Sequence, residues 1–249
     1  MATPVSLEND ISAYYLGSSI CIQMAQRAAI ELDVFNIIAK SGPEAHLTSK
    51  EIVSEIPTTD PNAAAENLER ILNLLSAVKS LLSTYLKQRH NDKTPQRAYG
   101  LTKEVLLCLV PNEDGVSFTS EIISGSEMHI IQSLCMLKHP VLEPGSVPFC
   151  KAHGVSFYEF MSERPEMISW FNKHMRTASY LHFDLKVLKV YEGFEEVKEL
   201  MDAGGGDGSS LAKIVSMYPH IHGINFDISS VIVQAPNYQA GVKHVSGDV

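Results

Sequence analysis

The chain has 249 residues, a formal net charge of −9 and 45% hydrophobic residues, enough apolar material for a substantial core in one or two domains. The negative balance opposes nucleic acid and anionic membrane as partners, and no apolar run approaches the ~18–20 residues of a membrane span. Cys21, Cys108, Cys135 and Cys150 stand far apart without C-x-x-C spacing, and the first ten residues lack the positive flank and apolar core of a secretory signal. These features fit a cytoplasmic protein with reduced thiols, not a zinc site or a disulfide frame. Residues 10–40 read as one helix, because Ile20, Met24, Ala28, Ala29, Leu32, Phe35, Ile38 and Ala39 recur at spacings of three and four. Ser41-Gly42-Pro43 stops it. A short helix over 48–56 follows, with Thr48 or Ser49 as cap and Glu51 nearby. After the turn at 57–61 comes a longer helix carrying Leu68, Ile71, Leu72, Leu75, Val78, Leu81 and Leu82 on one side. Residues 83–86 and 97–102 then read as two strands around a long polar loop.

Helix, short helix, longer helix and a two-stranded wing make a winged-helix-like arrangement. Its third helix sets Arg70 and Lys79 against Glu66 and Glu69, with no basic stripe for base reading. The wide apolar faces of the first helices favour packing or dimerisation instead. Residues 103–140 read as mostly helical, followed by a loop with Pro140, Pro144, Gly145 and Pro148. Phe157, Tyr158, Phe160, Met161, Met167, Trp170, Phe171 and Met175 then recur on helices. Such stripes are usually plain core, but here they precede a cofactor-type motif and can also wall a flat apolar pocket. His153, His174 and His182 have no partner set at a metal-ligand spacing. Residues 184–198 read as a linking helix.

The organising stretch is Glu199-Leu200-Met201-Asp202-Ala203-Gly204-Gly205-Gly206-Asp207-Gly208, opening into a helix from Ser209. A strand, a glycine turn and a helix form a cofactor-binding βα unit, in which glycines admit a ligand without meeting a Cβ. The next strand, at 222–227, ends in Asp227, a carboxylate suited to ribose hydroxyls. The dinucleotide fingerprint wants G-x-G-x-x-G. Here the spacing is G-x-G-x-G, Ser209 stands where the third fingerprint glycine would fall, and Asp207 would repel a pyrophosphate. An acid two residues before the first glycine suits S-adenosylmethionine, which has no pyrophosphate. A nicotinamide dinucleotide and a plain loop remain the alternatives. A third strand is expected at 244–248.

The chain resembles the plant small-molecule O-methyltransferases of the caffeic acid/flavonoid type over essentially its whole length. The resemblance is carried by Ala28 to Phe35, Asn112 to Ser117, Tyr191 to Phe194, Met201 to Gly208, Val215 to Pro219, Gly223 to Asp227 and Val242 to Asp248. It implies an N-terminal all-α, winged-helix-like dimerisation region (1–110), a helical substrate-pocket and linker region (111–195), and an α/β Rossmann-like methyltransferase domain (196–249). That last domain is expected to be incomplete, with about three strands. The implied donor is S-adenosylmethionine, held by Ser179, Asp202, Gly204, Gly206, Gly208, Asp227, Asp248 and Val249. Ile131, Leu134, Phe157, Met167, Phe171 and Met175 fall at positions that wall a phenolic acceptor. The resemblance further implies a homodimer and no metal, and it places the general-base histidine beyond Val249, so that this chain reads as truncated and inactive alone. A non-catalytic dimerisation module is the other reading. Where the family commonly has Thr or another small residue this chain has Asp207, whose charge beside the donor's carboxylate is expected to weaken binding.

Overall fold

The computed structural model describes residues 16–78, 82–87, 95–112, 115–180, 183, 187–188, 190–238 and 241–247. The chain divides into two compact units, Met1–Ile131 and Gln132–Val249. Among the described residues no helix is long and apolar enough to cross a membrane.

The first unit begins with α1 (Ser19–Glu31) and α2 (Val34–Lys40). The single helix expected over 10–40 is therefore broken, and its first residues lie outside the described ones. The break is Asp33, a non-glycine residue with φ 58°. A short polar side chain tolerates this left-handed geometry, and here Asn36 Nδ2 donates to Asp33 Oδ1 at 2.6 Å. Next come β1 (Leu47–Thr48), α3 (Ser49–Val53) and α4 (Pro61–Ala77). Thr48 caps α3 in a reciprocal capping box with Glu51. Asp60 caps α4, its Oδ1 accepting from the Asn62 and Ala63 N–H groups at 3.1 Å, with Pro61 in the first turn where no N–H is missed.

Strands β2 (Leu82–Lys87) and β3 (Gln96–Leu101) pair antiparallel from Leu82↔Leu101 to Lys87↔Gln96, and β1 pairs with β3 on its other side. The order is β1-β3-β2, which corrects the all-α expectation for this region: helices pack here with a three-stranded sheet. Leu82 also belongs to β2 and not to the preceding helix, while Leu81 lies outside the described residues. The core gathers Val34, Ile38, Ile52, Leu72, Leu75 and Tyr99, each at most 1% exposed. The Tyr99 hydroxyl donates to Asn73 Oδ1 at 3.0 Å. Burial, then the nearby Glu69 charge, push its pKa up to about 12.

After α5 (Lys103–Cys108) the stretch expected to be mostly helical is divided into α6 (Thr119–Gly125), α7 (Met128–Leu134) and α8 (His139–Leu142). The boundary between the units falls within α7. The second unit continues with α9 (Pro148–His153), α10 (Phe157–Ser162) and α11 (Pro165–Ser179). Val187 lies in a helical turn, but residues 191–198 run as turns and irregular chain, so the linking helix expected over 184–198 does not extend through its second half.

Then follow β4 (Glu199–Ala203), α12 (Ser209–Met217), β5 (His222–Asp227), α13 (Ser229–Ile232) and β6 (Val242–Ser246). The strands are parallel in the order β4-β5-β6. The third begins two residues earlier than the sequence reading placed it. Helix α12 covers the sheet through Leu211, Ile214 and Val215, which cluster with Leu188 and Ile221. Gly223 makes that approach possible: a Cβ there would sit 3.1 Å from Leu211 and Val215.

Candidate donor and acceptor site

The second unit contains a half-open cavity of about 750 Å³. One wall is the turn between β4 and α12: Asp202, Gly204, Gly205, Gly206 and Asp207, with Asp227 from the end of β5. Gly204, Gly206 and Gly208 have φ of 75°, 59° and 80°, a region that side chains other than glycine rarely adopt. Gly205 is glycine for a different reason. A Cβ there would collide with the Asn225 side chain and lie 2.7 Å from the Asp202 carboxyl carbon.

The Asp227 carboxylate is held by backbone donors. Asp227 Oδ2 accepts from the Gly206 N–H at 2.8 Å, and Oδ1 from the Ile228 N–H at 2.7 Å. Each oxygen keeps a lone pair for a hydroxyl donor. Burial, and then the charge of Asp227, raise the Asp202 carboxyl above the ordinary carboxylate range. A cation brought beside these two acids would relieve their repulsion.

Behind the turn stands Asn225, wholly buried on β5. Its Nδ2 donates to Gly206 O at 3.0 Å and contacts His244 Nδ1 at 3.1 Å, while His244 Nε2 reaches Pro236 O at 2.9 Å. With the Nε2–H given to the carbonyl, Nδ1 is left to accept from Asn225. The chain Pro236–His244–Asn225–Gly206 braces the turn from below. Sequence reading missed both residues. The one available signal was a polar residue inside the apolar run of β5.

The opposite wall is apolar and comes from α10 and α11: Tyr158, Met161, Ile168, Phe171 and Met175, with Phe183, Phe194 and Val231 beyond. Ser179, at the end of α11, also lines it. Of the acceptor-wall residues read from the sequence, Phe171 and Met175 line the cavity. Phe157 stands behind the wall, its ring 5.5 Å from Phe171 and 5.2 Å from Phe149. Met167 and Leu134 are not among the lining residues, and Leu134 is 49% exposed. Ile131 belongs to the first unit. Of the donor set, Ser179, Asp202, Gly204, Gly206 and Asp227 meet at the cavity. Gly208 instead faces Asn225 and His244 at the start of α12. Asp248 and Val249, like His182, lie outside the described residues. Among the described residues no group of three His, Cys, Asp or Glu stands close enough together to hold a metal ion.

A family model for an O-methyltransferase domain matches residues 135–249, and one for an O-methyltransferase dimerisation domain matches residues 15–108. The (S)-scoulerine 9-O-methyltransferase of Coptis japonica is 43% identical over 97% of this chain and 60% of its own length. The caffeic acid 3-O-methyltransferase of Medicago sativa is 40% identical over 97% of this chain and 64% of its own length. The myricetin 3'-O-methyltransferase 4 of Solanum lycopersicum is 40% identical over 98% of this chain and 67% of its own length. This chain thus spans about three fifths to two thirds of these relatives. In fold it is similar to human N-acetylserotonin methyltransferase in complex with SAM, with TM-score 0.75 and 17% identity over 100% of this chain and 68% of that one. It is also similar to SAH-bound CalO1, with TM-score 0.71 and 20% identity over 99% of this chain and 68% of that one. On these matches, the chain belongs to the plant S-adenosylmethionine-dependent O-methyltransferases of the caffeic acid/flavonoid type.

Proposed function

We propose that the second unit binds S-adenosylmethionine against the glycine turn and serves methyl transfer to a hydroxyl of a phenylpropanoid- or flavonoid-like phenol. The observation that carries this reading is the meeting, in one cavity, of a Cβ-free turn and two carboxylates with an apolar aromatic wall. The turn admits the donor's amino-acid end, Asp227 accepts from the ribose hydroxyls, and Asp202 answers positive charge. Phe171 and Met175 hold a flat acceptor, and Ser179 adds a hydroxyl beside the donor. When bound, the donor supplies a methyl group on a sulfonium, which leaves by in-line displacement. The protein's work is then alignment and exclusion of water. The relatives' names, which point to scoulerine, caffeic acid and myricetin, support a phenolic acceptor.

A phenol with pKa near ~10 needs a base to become a phenolate at neutral pH. Among the described lining residues the titratable groups are Tyr158, Arg176, Asp202, Asp207 and Asp227. A carboxylate is a weaker base than an imidazole, and a histidine suits this work. This reading assigns the base to a histidine outside the cavity lining, needs no metal for deprotonation, and makes residues 1–110 a winged-helix-like homodimerisation region. Residues 111–195 supply the acceptor pocket, and residues 196–249 the donor site. The 249-residue chain by itself is then expected to bind donor without methylating a phenol. The same census favours a second reading, a non-catalytic dimerisation module derived from such an enzyme.

Calorimetry on the 249-residue chain with S-adenosylmethionine and S-adenosylhomocysteine tests the site. Heat with both is expected, and none with NAD. Silence with both adenosyl ligands removes the proposal, and measurable turnover of a catechol by this chain removes the assignment of the base. Pull-down of a full-length homologue, without donor binding, supports the second reading.

A further inference from the structure

Asp207 puts a third carboxylate into the donor wall, in a position where sequence reasoning expects it to repel the donor's own carboxylate. The structure gives that charge two partners. The Ser209 N–H, at the first turn of α12, donates to Asp207 Oδ1 at 3.1 Å, a placement that the positive end of a helix favours. Asp207 Oδ2 takes an ion pair from the guanidinium of Arg176, thirty-one residues away on α11. Arg176 and Asp207 both line the cavity. Burial is the main cause that raises the Tyr238 hydroxyl, but the fields of this pair also act on it in opposite senses, Asp207 raising it and Arg176 lowering it.

We propose that Arg176 is a donor-specificity residue: by neutralising Asp207 it keeps the glycine turn open to the carboxylate of S-adenosylmethionine. The pair links the helix that carries Phe171, Met175 and Ser179 to the turn that receives the donor. It contributes little to stability, because the Arg176 side chain is 61% exposed and exposed ion pairs are screened. Its consequence is electrostatic and local. The proposal rests on the donor-binding reading above and assigns to Arg176 a role in it that depends on Asp207.

The test is calorimetry on the 249-residue chain with three probes: S-adenosylmethionine, S-adenosylhomocysteine and 5′-methylthioadenosine, which lacks the amino-acid carboxylate. Arg176→Gln is expected to weaken the first two by about five- to tenfold, the scale of one uncompensated charge several ångström away in a partly hydrated site. It is expected to leave 5′-methylthioadenosine within about twofold of wild type. Asp207→Thr binds all three at least as tightly as wild type, Arg176→Gln/Asp207→Thr regains wild-type affinity, and Arg176→Lys keeps most of it. Equal weakening of all three probes by Arg176→Gln would mark a structural role and overturn the proposal. So would an unchanged affinity, or a double variant no better than Arg176→Gln. If the wild type binds none of the probes, the donor-binding reading fails and the proposal falls with it; if the wild type binds and the variants do not differ as stated, the proposal alone falls.

Discussion

The two units use their apolar residues differently. In the first, Tyr99, Ile38, Ile52, Leu72 and Leu75 are each under 2% exposed and belong to one large cluster. In the second, the buried cluster among the described residues is Leu188, Leu211, Ile214, Val215 and Ile221, and many other apolar side chains line the cavity. The second unit also carries half-buried Asp202 and wholly buried Asn225 beside that cavity, whereas wholly buried Ser126 of the first bonds back to the Ile122 and Ile123 carbonyls of the preceding turn. A desolvated acid and a glycine turn at an incompletely filled interior lower the stability available to the second unit from burial.

The sharpest way to break that comparison is to make the same cavity in both. Leu72→Ala, in a core with no room to relax, is expected to cost about 2–5 kcal/mol in chemical denaturation. Leu211 is equally buried but lines the cavity, so Leu211→Ala falls at or below the lower end of that range. Equal or reversed costs would show that the second unit is packed as tightly as the first.

A second substitution touches function directly. Gly205→Val places a branched side chain against Asn225 and Asp202. Asn225 then loses its hold on Gly206 O, and the donor wall is displaced. Affinity for S-adenosylmethionine should fall by about 30-fold or more, with a stability loss on the scale of overpacking, about 1–3 kcal/mol. Retained affinity in calorimetry would mean that the turn is not where the donor lies.

Much of this site was legible because its signals are local. The glycine run, the acid before it and the helix start at Ser209 lie within eleven consecutive residues, and β5 was read with its observed bounds. The cap of α3 was legible for the same reason, narrowed to Thr48 or Ser49, of which the structure uses Thr48. Other features depend on contacts across the chain or on ambiguous local cues. Asp33 breaks a helix without Gly or Pro to mark it. Leu82 continues a helical apolar period yet pairs with Leu101 in a sheet. The Arg176–Asp207 pair spans two elements, and neither residue type at its position announces the other. Met161 and Phe194 are wall residues only because tertiary packing turns them to the cavity. Phe157, with an equally aromatic sequence context, ends up behind it.

The smallest expected effect probes what the half-buried Asp202 costs the second unit. Asp202 has its carboxyl raised by burial and then by Asp227. A raised pKa means that the folded state holds the proton more tightly than the unfolded one. The stability this contributes is present in acid and is lost as pH rises from the ordinary carboxylate range through the raised value. At neutral pH the ionised group is therefore a cost, and Asp202→Asn should raise the melting temperature by about 1–2 °C, a small gain because the group is only half-buried and screened. Below the ordinary carboxylate range the gain should vanish. On the proposed reading donor affinity moves the other way, because the ionised carboxylate is the form that would answer the donor's cation. In the wild type it should strengthen as pH rises through that window, and in Asp202→Asn it should be weaker and flat. Melts and titrations at matched pH values check both halves. A variant that is more stable at neutral pH and yet binds S-adenosylmethionine as tightly as wild type would mean that Asp202 is a structural acid, leaving Asp227 alone to answer the donor.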